Sequence, residues 1–468
     1  MQAKGGELIA LLIEKDGKKI SISNEKDAKI IESDLKDKVY KVSKVTKKEV
    51  KKYSSPPFTT STLQQAAANR LGYSAKKTMR LAQELYEKGL ITYMRTDSVT
   101  LAQSAIDKTR EYVGKTFGRD FLPAQPKRYK TASKVAQEAH EAIRPTNINL
   151  TADNLPIPDS DFRRLYDLIW RRMVACQMSE ARLDQETLEI VASLESVDQA
   201  RQANGYLLRA SGSSVIFPGW LKIYEGKKTE DEEEEKILPE LSEGEALKLL
   251  ELLTKQHFTE PPARYTDASL IKALEFHSIG RPSTYAPIIS TITERNYVEK
   301  KEKKFFPTEL GIAVCDYLVK NFPDIVDISF TAQMEEELDD IARGEEEWQP
   351  VIARFYDPFE KQLEKVFEVG EKVKVIEETN EKCGKCGKPM VIRFGRFGKF
   401  LACSGFPDCK TTMSMQEKLG LPCPLCGGDI ILKKTRKGRP FYGCSNYPAC
   451  KFASWKKPTG TQESKTVN

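Results

Sequence analysis

Residues 89–98 read GLITYMRTDS, an apolar run that leads directly into charge. The period-two alternation of an extended chain would place Tyr93, Arg95 and Asp97 on one face. A tyrosine phenol ionises near pH ~10, so nucleophilic attack at neutral pH requires a neighbouring cation or base. Arg95 can serve as that cation, and Asp97 can orient it. We therefore predict a strand over residues 90–97 that brings a nucleophile, a cation and a carboxylate together.

A second interpretation of the same residues is purely structural. The chain has 17 tyrosines, and most of them must serve packing. Asp97 or Ser98 could cap a helix that runs through residues 102–112. The local pattern leaves both interpretations open.

The residues upstream of this stretch predict helix, turn and helix. Ser61 can cap a helix over residues 62–71, and Ser74 can cap another over residues 75–88 that stops at Gly89. Followed by the predicted strand, this is a winged-helix-like order.

A faint internal repeat of this order follows later in the chain. Ser269-Leu270 with Ala273, a helix over residues 284–295 and a strand at 297–298 echo the first copy. Tyr297 is then a rival nucleophile, but no arginine follows it two residues later, so Tyr93 is preferred.

The remaining patterns are coarser. Residues 1–52 alternate like strands, residues 160–183 predict an amphipathic helix, residues 184–226 return to strands, and residues 330–367 are helical. The acidic run at 230–235 predicts a solvated loop.

Composition bounds the class of protein. At 468 residues the chain exceeds one hydrophobic core, and ~150 residues per domain suggests three or more units. The net charge of +6 is weak evidence for a nucleic-acid partner. No apolar run approaches the ~18 residues of a membrane span, so we expect a cytoplasmic protein with no membrane partner.

Eight of the ten cysteines fall into two quartets near the C-terminus. Each quartet has a Cys-x2-Cys pair followed by a Cys-x5-Cys pair. Four thiolates at this spacing suit tetrahedral zinc and leave no open position for water. We predict two structural zinc sites, with the ligands Cys383, Cys386, Cys403 and Cys409 in the first and Cys423, Cys426, Cys444 and Cys450 in the second.

Each quartet encloses basic and aromatic residues, which could pack against the small metal sites or bind a nucleic acid. Stacking on unpaired bases contributes ~1–3 kcal/mol per base, and cations follow the phosphates. We predict single-strand binding through Arg396, Phe397, Phe400, Arg439, Phe441 and Tyr442.

Two further motifs could bind anions. In HEAIRP at residues 140–145, a helical turn would place His140 and Arg144 on one face as a phosphate grip. In GRPSTY at residues 280–285, Arg281 and Ser283 would lie at a helix N-terminus, although a proline-initiated cap explains the motif equally well.

Several strings together resemble the bacterial type IA DNA topoisomerase I family over nearly the whole chain. They are PPFTTSTLQQ at 56–65, TYMRTDS at 92–98, AHEAIRP at 139–145, PPARY at 261–265 and GRPSTY at 280–285, followed by the cysteine ribbons.

The resemblance implies a catalytic cycle on single-stranded and negatively supercoiled DNA. Tyr93 would attack a phosphodiester to form a 5′-phosphotyrosine, another strand would pass, and resealing would relax supercoils without ATP. Arg95 would stabilise the transition state, Asp97 would support the site, and His140 with Arg144 would hold the backbone. The strings containing Arg264, Arg281 and Ser283 would add DNA contacts.

The resemblance also implies a multidomain α+β fold, a type IA torus plus two C-terminal zinc ribbons. The domains would be a β-rich gate at 1–53 and 181–215, the tyrosine domain at 54–180, a second helical domain at 216–370, and ribbons at 381–412 and 421–456.

The family's Toprim domain, with its acidic magnesium site, has no counterpart in these residues. The single Asp-x-Asp, at 159–161, is not followed by the required glutamate. We expect that a piece is missing upstream of Met1 and that a Toprim domain, from upstream coding sequence or a separate polypeptide, supplies Mg²⁺. Apart from a separate Toprim polypeptide, we expect no partner chain and therefore a monomer.

Two alternative functions remain: a non-catalytic single-strand-binding module, and a zinc-ribbon factor that binds specific duplex sequences.

Overall fold

A computed structural model of the chain describes residues 1–3, 5–130, 140–194, 205–225, 237–369, 377–395, 398–414, 418–434 and 440–455. The chain divides into two compact units. The first comprises residues 1–293, 300–306 and 324–354, and the second comprises residues 294–299, 307–323 and 355–468. The acidic run at 230–235 lies outside the described residues.

The strands, in chain order, are β1 (Gln2–Ala3), β2 (Gly6–Glu7), β3 (Leu11–Lys15), β4 (Lys18–Lys19), β5 (Val39–Lys52), β6 (Ala181–Ser193), β7 (Tyr206–Phe217), β8 (Ala246–Leu247), β9 (Val298–Lys301), β10 (Lys304–Pro307), β11 (Glu377–Lys382), β12 (Pro389–Gly395), β13 (Gly398–Cys403), β14 (Thr412–Ser414), β15 (Lys418–Pro422), β16 (Asp429–Lys434), β17 (Pro440–Cys444) and β18 (Ala453–Ser454).

The α-helices are α1 (Glu25–Lys36), α2 (Thr60–Ala66), α3 (Ala75–Glu87), α4 (Gln103–Thr116), α5 (Ser160–Cys176), α6 (Asp267–Phe276), α7 (Tyr285–Glu294), α8 (Glu309–Asn321), α9 (Ile328–Arg343) and α10 (Trp348–Val369). None of the helices in the described residues combines the length and apolarity needed to cross a bilayer.

A six-stranded antiparallel sheet with the order β4-β3-β7-β6-β5-β8 forms one part of the first unit. Its longest pairing runs from Val39 opposite Ser193 to Lys52 opposite Ala181. Alternate side chains of these strands, including Tyr40 and Val42, form a buried apolar cluster. The strands predicted in residues 1–52 are therefore confirmed at β3, β4 and β5.

Two predictions near this sheet were wrong. Residues 25–36 are a helix, α1, because Asn24 caps its first turn by accepting the Asp27 amide at 2.9 Å. The helix predicted over 160–183 ends at Cys176, because the chain from Ala181 onward pairs with β5 instead.

The helices α2 to α5 surround a second apolar cluster in the same unit. Ser74 caps α3 by accepting the Lys77 amide at 3.2 Å, and Gly89 follows at φ +69°, so the second predicted helix and its stop are confirmed. The predicted cap at Ser61 was wrong, because the N-cap is Thr59, two residues earlier, which forms a reciprocal capping box with Thr62.

The end of this first helix also differs from the prediction. It is α-helical to Ala66 and continues as a π-helix over Ala67–Leu71 before Gly72 turns the chain at φ +69°.

The second copy of the pattern has the same start. Thr266 and Ser269 form a capping box on α6, as Thr59 and Thr62 do on α2. The helix predicted over 284–295 is α7, and the strand predicted at 297–298 begins at Val298. The helical pattern at 330–367 is divided between α9 and α10, because Gly344 adopts φ +74°.

In the second unit, two four-stranded antiparallel sheets contain the cysteine quartets. One has the order β11-β12-β13-β14 and the other β15-β16-β17-β18, so the sequence repeat is also a structural repeat.

Candidate functional site

Residues 91–98 form an irregular loop instead of the predicted strand. Its one β-bridge in the described residues is the isolated pairing of Ile91 with Pro145. Its side chains still alternate: Met94, Thr96 and Ser98 are buried, whereas Tyr93 is 42% exposed. Arg95 is also exposed and Asp97 is half-buried. The predicted strand does not form, because the backbone groups of this loop hydrogen-bond to side chains and to isolated segments instead of to a neighbouring strand.

Thr60, at the first position of α2, fixes the loop from inside. Its side chain is fully buried, and its hydroxyl lies 2.8 Å from the Met94 carbonyl oxygen and 3.0 Å from the Thr96 carbonyl oxygen. The same hydroxyl accepts the Thr96 amide at 2.8 Å. One buried side chain thus holds the backbone on both sides of Arg95.

Thr92 fixes the other end of the loop. Its hydroxyl donates to the Ala142 carbonyl oxygen at 2.7 Å and accepts the Arg144 amide at 2.9 Å. The Thr92 amide donates to the Arg144 carbonyl oxygen at 2.9 Å. Tyr93 is therefore displayed from a backbone that is held on both sides.

Replacing Thr60 with valine should lower the free energy of unfolding of the first unit by about 1–3 kcal/mol, because the buried Thr96 amide loses its acceptor. Thermal unfolding and proteolysis within residues 91–98 would measure the effect. The matched control is Thr78→Val, another fully buried threonine, whose hydroxyl bonds within its own helix to the Ser74 carbonyl oxygen. Equal loss in both variants, with no increase in loop cleavage, would contradict the role of Thr60.

The ring of Tyr93 packs edge-on against Tyr86 of α3, with centroids 5.2 Å apart and planes inclined at 70°. This contact fixes the ring direction while leaving part of the side chain open to solvent. The alternative in which Asp97 or Ser98 caps the next helix was wrong, because α4 begins after Ala102 and lacks a side-chain cap. The Glu141 carboxylate accepts the Ala102 amide instead, at 2.5 Å.

Asp97 lies within electrostatic range of Tyr285, the first residue of α7. Burial raises the pKa of Tyr285 to about 12, and negative charge on Glu275, Asp97 and Glu335 adds to the shift, against Arg281. Among the residues that the structure describes, no ion pair joins Arg95 to Asp97. The outward side chains of the loop are therefore Tyr93 and Arg95, whereas Asp97 is half-buried and acts electrostatically on Tyr285.

The motif at 140–145 is extended, so the predicted helical turn was wrong. Ile143 bridges Phe58 and Pro145 bridges Ile91. Arg144 is 14% exposed and donates from Nη2 and Nε to the two oxygens of Glu141, at 2.6 and 3.1 Å. His140 begins this extended segment half-buried. The Arg144 guanidinium, which was predicted to bind a phosphate, is instead hydrogen-bonded to the Glu141 carboxylate of the same motif.

Arg281 and Ser283 precede α7, which begins at Tyr285, so the turn lies before the helix. Arg281 bonds Asp339 of α9, with Nη2 at 2.5 Å and Nε at 3.1 Å. Ser283 is exposed. Arg264 is exposed too, and its guanidinium carbon lies 4.4 Å from the centroid of the Phe306 ring. Arg281 is therefore paired, whereas Arg264 presents a cation beside an aromatic face.

Both cysteine quartets are assembled as predicted. Within each, the four Sγ atoms lie within 4.8 Å of one another. The Lys385 and Cys386 amides lower the pKa of the Cys383 thiol to about 6, and the Gly428 amide lowers that of Cys426 to about 7. Amides that favour thiolates suit a dication, and the all-sulfur donor set fits structural zinc.

The aromatic side chains of the ribbons are only partly where the sequence predicted them. Phe400 is half-buried, Tyr442 packs on the core of the second ribbon, and Phe441 lies 6.0 Å from the Trp455 ring. Arg396, Phe397 and Arg439 lie outside the described residues.

Sequence reasoning missed a different aromatic position in each ribbon. Phe406 is 53% exposed and Tyr447 is 64% exposed. Arg393 lies over the first ring at 5.2 Å and Lys433 over the second at 5.0 Å. The signal was available, because an aromatic residue followed by proline recurs just before the last cysteine of both quartets.

Comparisons with known proteins found matches over most of the chain. A family model described as DNA topoisomerase matches residues 2–353. A model described as topoisomerase DNA binding C4 zinc finger matches residues 380–418 and 420–459. The solved structure of full-length topoisomerase I from Thermotoga maritima is 33% identical, with a TM-score of 0.65 over 87% of this chain. This chain spans 64% of the length of that protein.

Proposed function

We propose, from the premise that this chain belongs to the bacterial type IA DNA topoisomerase family, that Tyr93 is the nucleophile of a strand-cleavage and religation reaction. The family and its zinc-finger matches make this a DNA-binding protein of an isomerase family. The observation that carries the assignment is the placement of Tyr93: its side chain is partly exposed, two residues before an exposed arginine, on a loop held by Thr60 and Thr92.

The chemistry proposed for this loop is transesterification. The Tyr93 oxygen attacks phosphorus in a single strand, the bond to the 3′-oxygen breaks, and a 5′-phosphotyrosine and a free 3′-hydroxyl result. Arg95 stabilises negative charge on the phosphoryl oxygens. Because one ester replaces another, the reverse reaction reseals the strand without ATP, and passage of another strand in between relaxes negative supercoils.

The neighbouring residues have supporting roles on this proposal. Asp97 supports the tyrosine loop, His140 and Arg144 act on the strand backbone, and Arg264, Arg281 and Ser283 extend the DNA contact. The sheet around β5, β6 and β7 corresponds to the gate, residues 54–180 carry the nucleophile, and residues 216–370 form the second DNA-binding part.

Magnesium does not fit the residues described. In the described part of the chain, the groups of His, Cys, Asp and Glu close enough to share an ion are the two cysteine quartets. We propose that a Toprim domain outside these 468 residues provides the magnesium ligands.

The second candidate function is a non-catalytic single-strand-binding module, which the aromatic and basic pairs on the ribbons favour. The two functions are separated by incubating the chain with a Toprim domain, magnesium and a 5′-labelled or 3′-labelled oligonucleotide, then denaturing the mixture. A topoisomerase gives protein covalently joined to the 5′-phosphate created at the break, so the adduct carries the 3′ label and the 5′-labelled fragment is released with a free 3′-hydroxyl. Complete absence of this adduct at saturating Toprim domain would leave the binding module.

Phe406→Ala combined with Tyr447→Ala should weaken binding of an oligothymidylate to the whole chain. Loss of base stacking costs ~1–3 kcal/mol per ring, so the pair should reduce affinity at least about tenfold. Fluorescence anisotropy at fixed salt would measure it. Trp348→Ala, which removes another exposed ring from outside the ribbons, is the control. An equal loss from the control, or tight competition by one duplex sequence, would argue against single-strand stacking.

A further inference from the structure

The carboxylate of Glu275, on α6, occupies hydrogen-bond donors of α2. The Ser61 hydroxyl donates to Glu275 Oε1 at 2.6 Å, and the Gln65 carboxamide donates to Oε2 at 3.3 Å. Ser61 is buried and follows Thr60, which holds the Tyr93 loop. The side chain of Glu275 is itself exposed, so an incoming group can reach it.

A second set of carboxylates occupies the turn at Gly280 and Arg281. The Gly280 amide donates to Glu335 Oε1 at 3.0 Å, and Arg281 bonds Asp339 through Nη2 at 2.5 Å and Nε at 3.1 Å. Arg281 Nη1 also lies 3.7 Å from Glu335 Oε2. Both acidic residues belong to α9, whose side chains thus fill the cationic turn.

These two sets of contacts belong to one neighbourhood. Glu275 and Glu335 both act electrostatically on Tyr285, and Asp97 of the Tyr93 loop acts on the same phenol. Arg281 offsets them in part. If the phosphates of a DNA strand approached this neighbourhood, they would find its hydrogen-bond donors already paired with carboxylates.

The donors involved are a hydroxyl, a carboxamide, a backbone amide and a guanidinium. These are the kinds of group with which proteins bind phosphate oxygens. We propose that Glu275, Glu335 and Asp339 are internal stand-ins for DNA phosphates, which hold α2, α6 and α9 together in the DNA-free chain and are displaced when a single strand binds. The inference rests on the proposed function, because it assumes that this face receives a single strand.

The test measures oligothymidylate binding by fluorescence anisotropy in a whole-chain background of Tyr93→Phe, Phe406→Ala and Tyr447→Ala, which removes the proposed nucleophile and the ribbon rings. Glu275→Gln and Asp339→Asn should each tighten binding by about fivefold or more, because the strand no longer competes with a paired anion. The charge controls are Glu84→Gln and Glu111→Gln, which remove carboxylates from surface pairs within α3 and α4. Unchanged affinity, or a gain no larger than in these controls, would overturn the proposal.

Ser61→Ala supplies a second measurement. If the Ser61–Glu275 hydrogen bond only held the two helices together, this substitution would not change DNA affinity in the way expected here. In the Glu275→Gln background it should weaken binding, because Ser61 then donates to a phosphate, whereas with Glu275 present it should have little effect. Equal effects in both backgrounds would count against the proposal. Thermal unfolding confirms that each variant is folded. Because these variants lack Tyr93, the result is independent of whether the covalent adduct forms.

Discussion

Replacing Tyr93 with phenylalanine will abolish the covalent protein–DNA adduct while leaving single-strand affinity unchanged. The substitution removes one oxygen from a partly exposed ring whose edge contact with Tyr86 does not require the hydroxyl. Without that oxygen no phosphotyrosine can form, and cleavage should fall by more than about a thousandfold. The measurement is denaturing electrophoresis of labelled oligonucleotide after incubation with magnesium and a Toprim domain.

The matched control is Tyr86→Phe, which removes a hydroxyl from the ring that packs against Tyr93. If Tyr93 is the nucleophile, the control retains the adduct. An adduct that persists in Tyr93→Phe would move the chemistry to another residue, and Tyr297, the rival from the second copy of the pattern, would be examined next.

Replacing Cys403 or Cys444 with serine will unfold the ribbon that contains it and release its metal. Each is a buried member of a quartet, and apparent zinc-binding free energies of such sites are about 10–16 kcal/mol, so the small sheet depends on its metal. Zinc analysis of the purified chain should show half the metal of the unaltered protein. Hydrogen exchange should show loss of protection in that ribbon alone.

Cys315→Ser is the control, because this exposed cysteine lies outside both quartets. It should leave zinc content unchanged. If either quartet variant kept its full zinc content and its protected amides, the metal would not be what holds these sheets together.

Elements set by local chemistry could be predicted from the sequence. Ser74 and Gly89 bound a helix because a hydroxyl at one end and a residue free to adopt positive φ at the other act within a few residues. The cysteine quartets followed from spacing, since short knuckle turns bring each pair together before any distant contact is made.

The conformation of the Tyr93 loop could not be predicted in the same way. Alternation was present, and the residues do alternate between buried and exposed, but the loop's backbone is satisfied by Thr60 and by residues 142–144 instead of by a sheet. Thr60 is 34 residues from Met94, and Thr92 is 50 residues from Ala142. A periodic pattern reports which side chains face inward, and it does not report what bonds the backbone.

The sequence by itself thus determined the family resemblance, the choice of Tyr93 as the candidate nucleophile, and the two metal quartets, because each depends on residue types at short fixed spacings. Tertiary structure alone decided which charges are available. Arg281 is paired with Asp339, 58 residues away, and Ser61 donates to Glu275, 214 residues away. Ion pairs and hydrogen bonds form between groups that folding brings within a few ångströms, and separation along the chain carries no information about that distance.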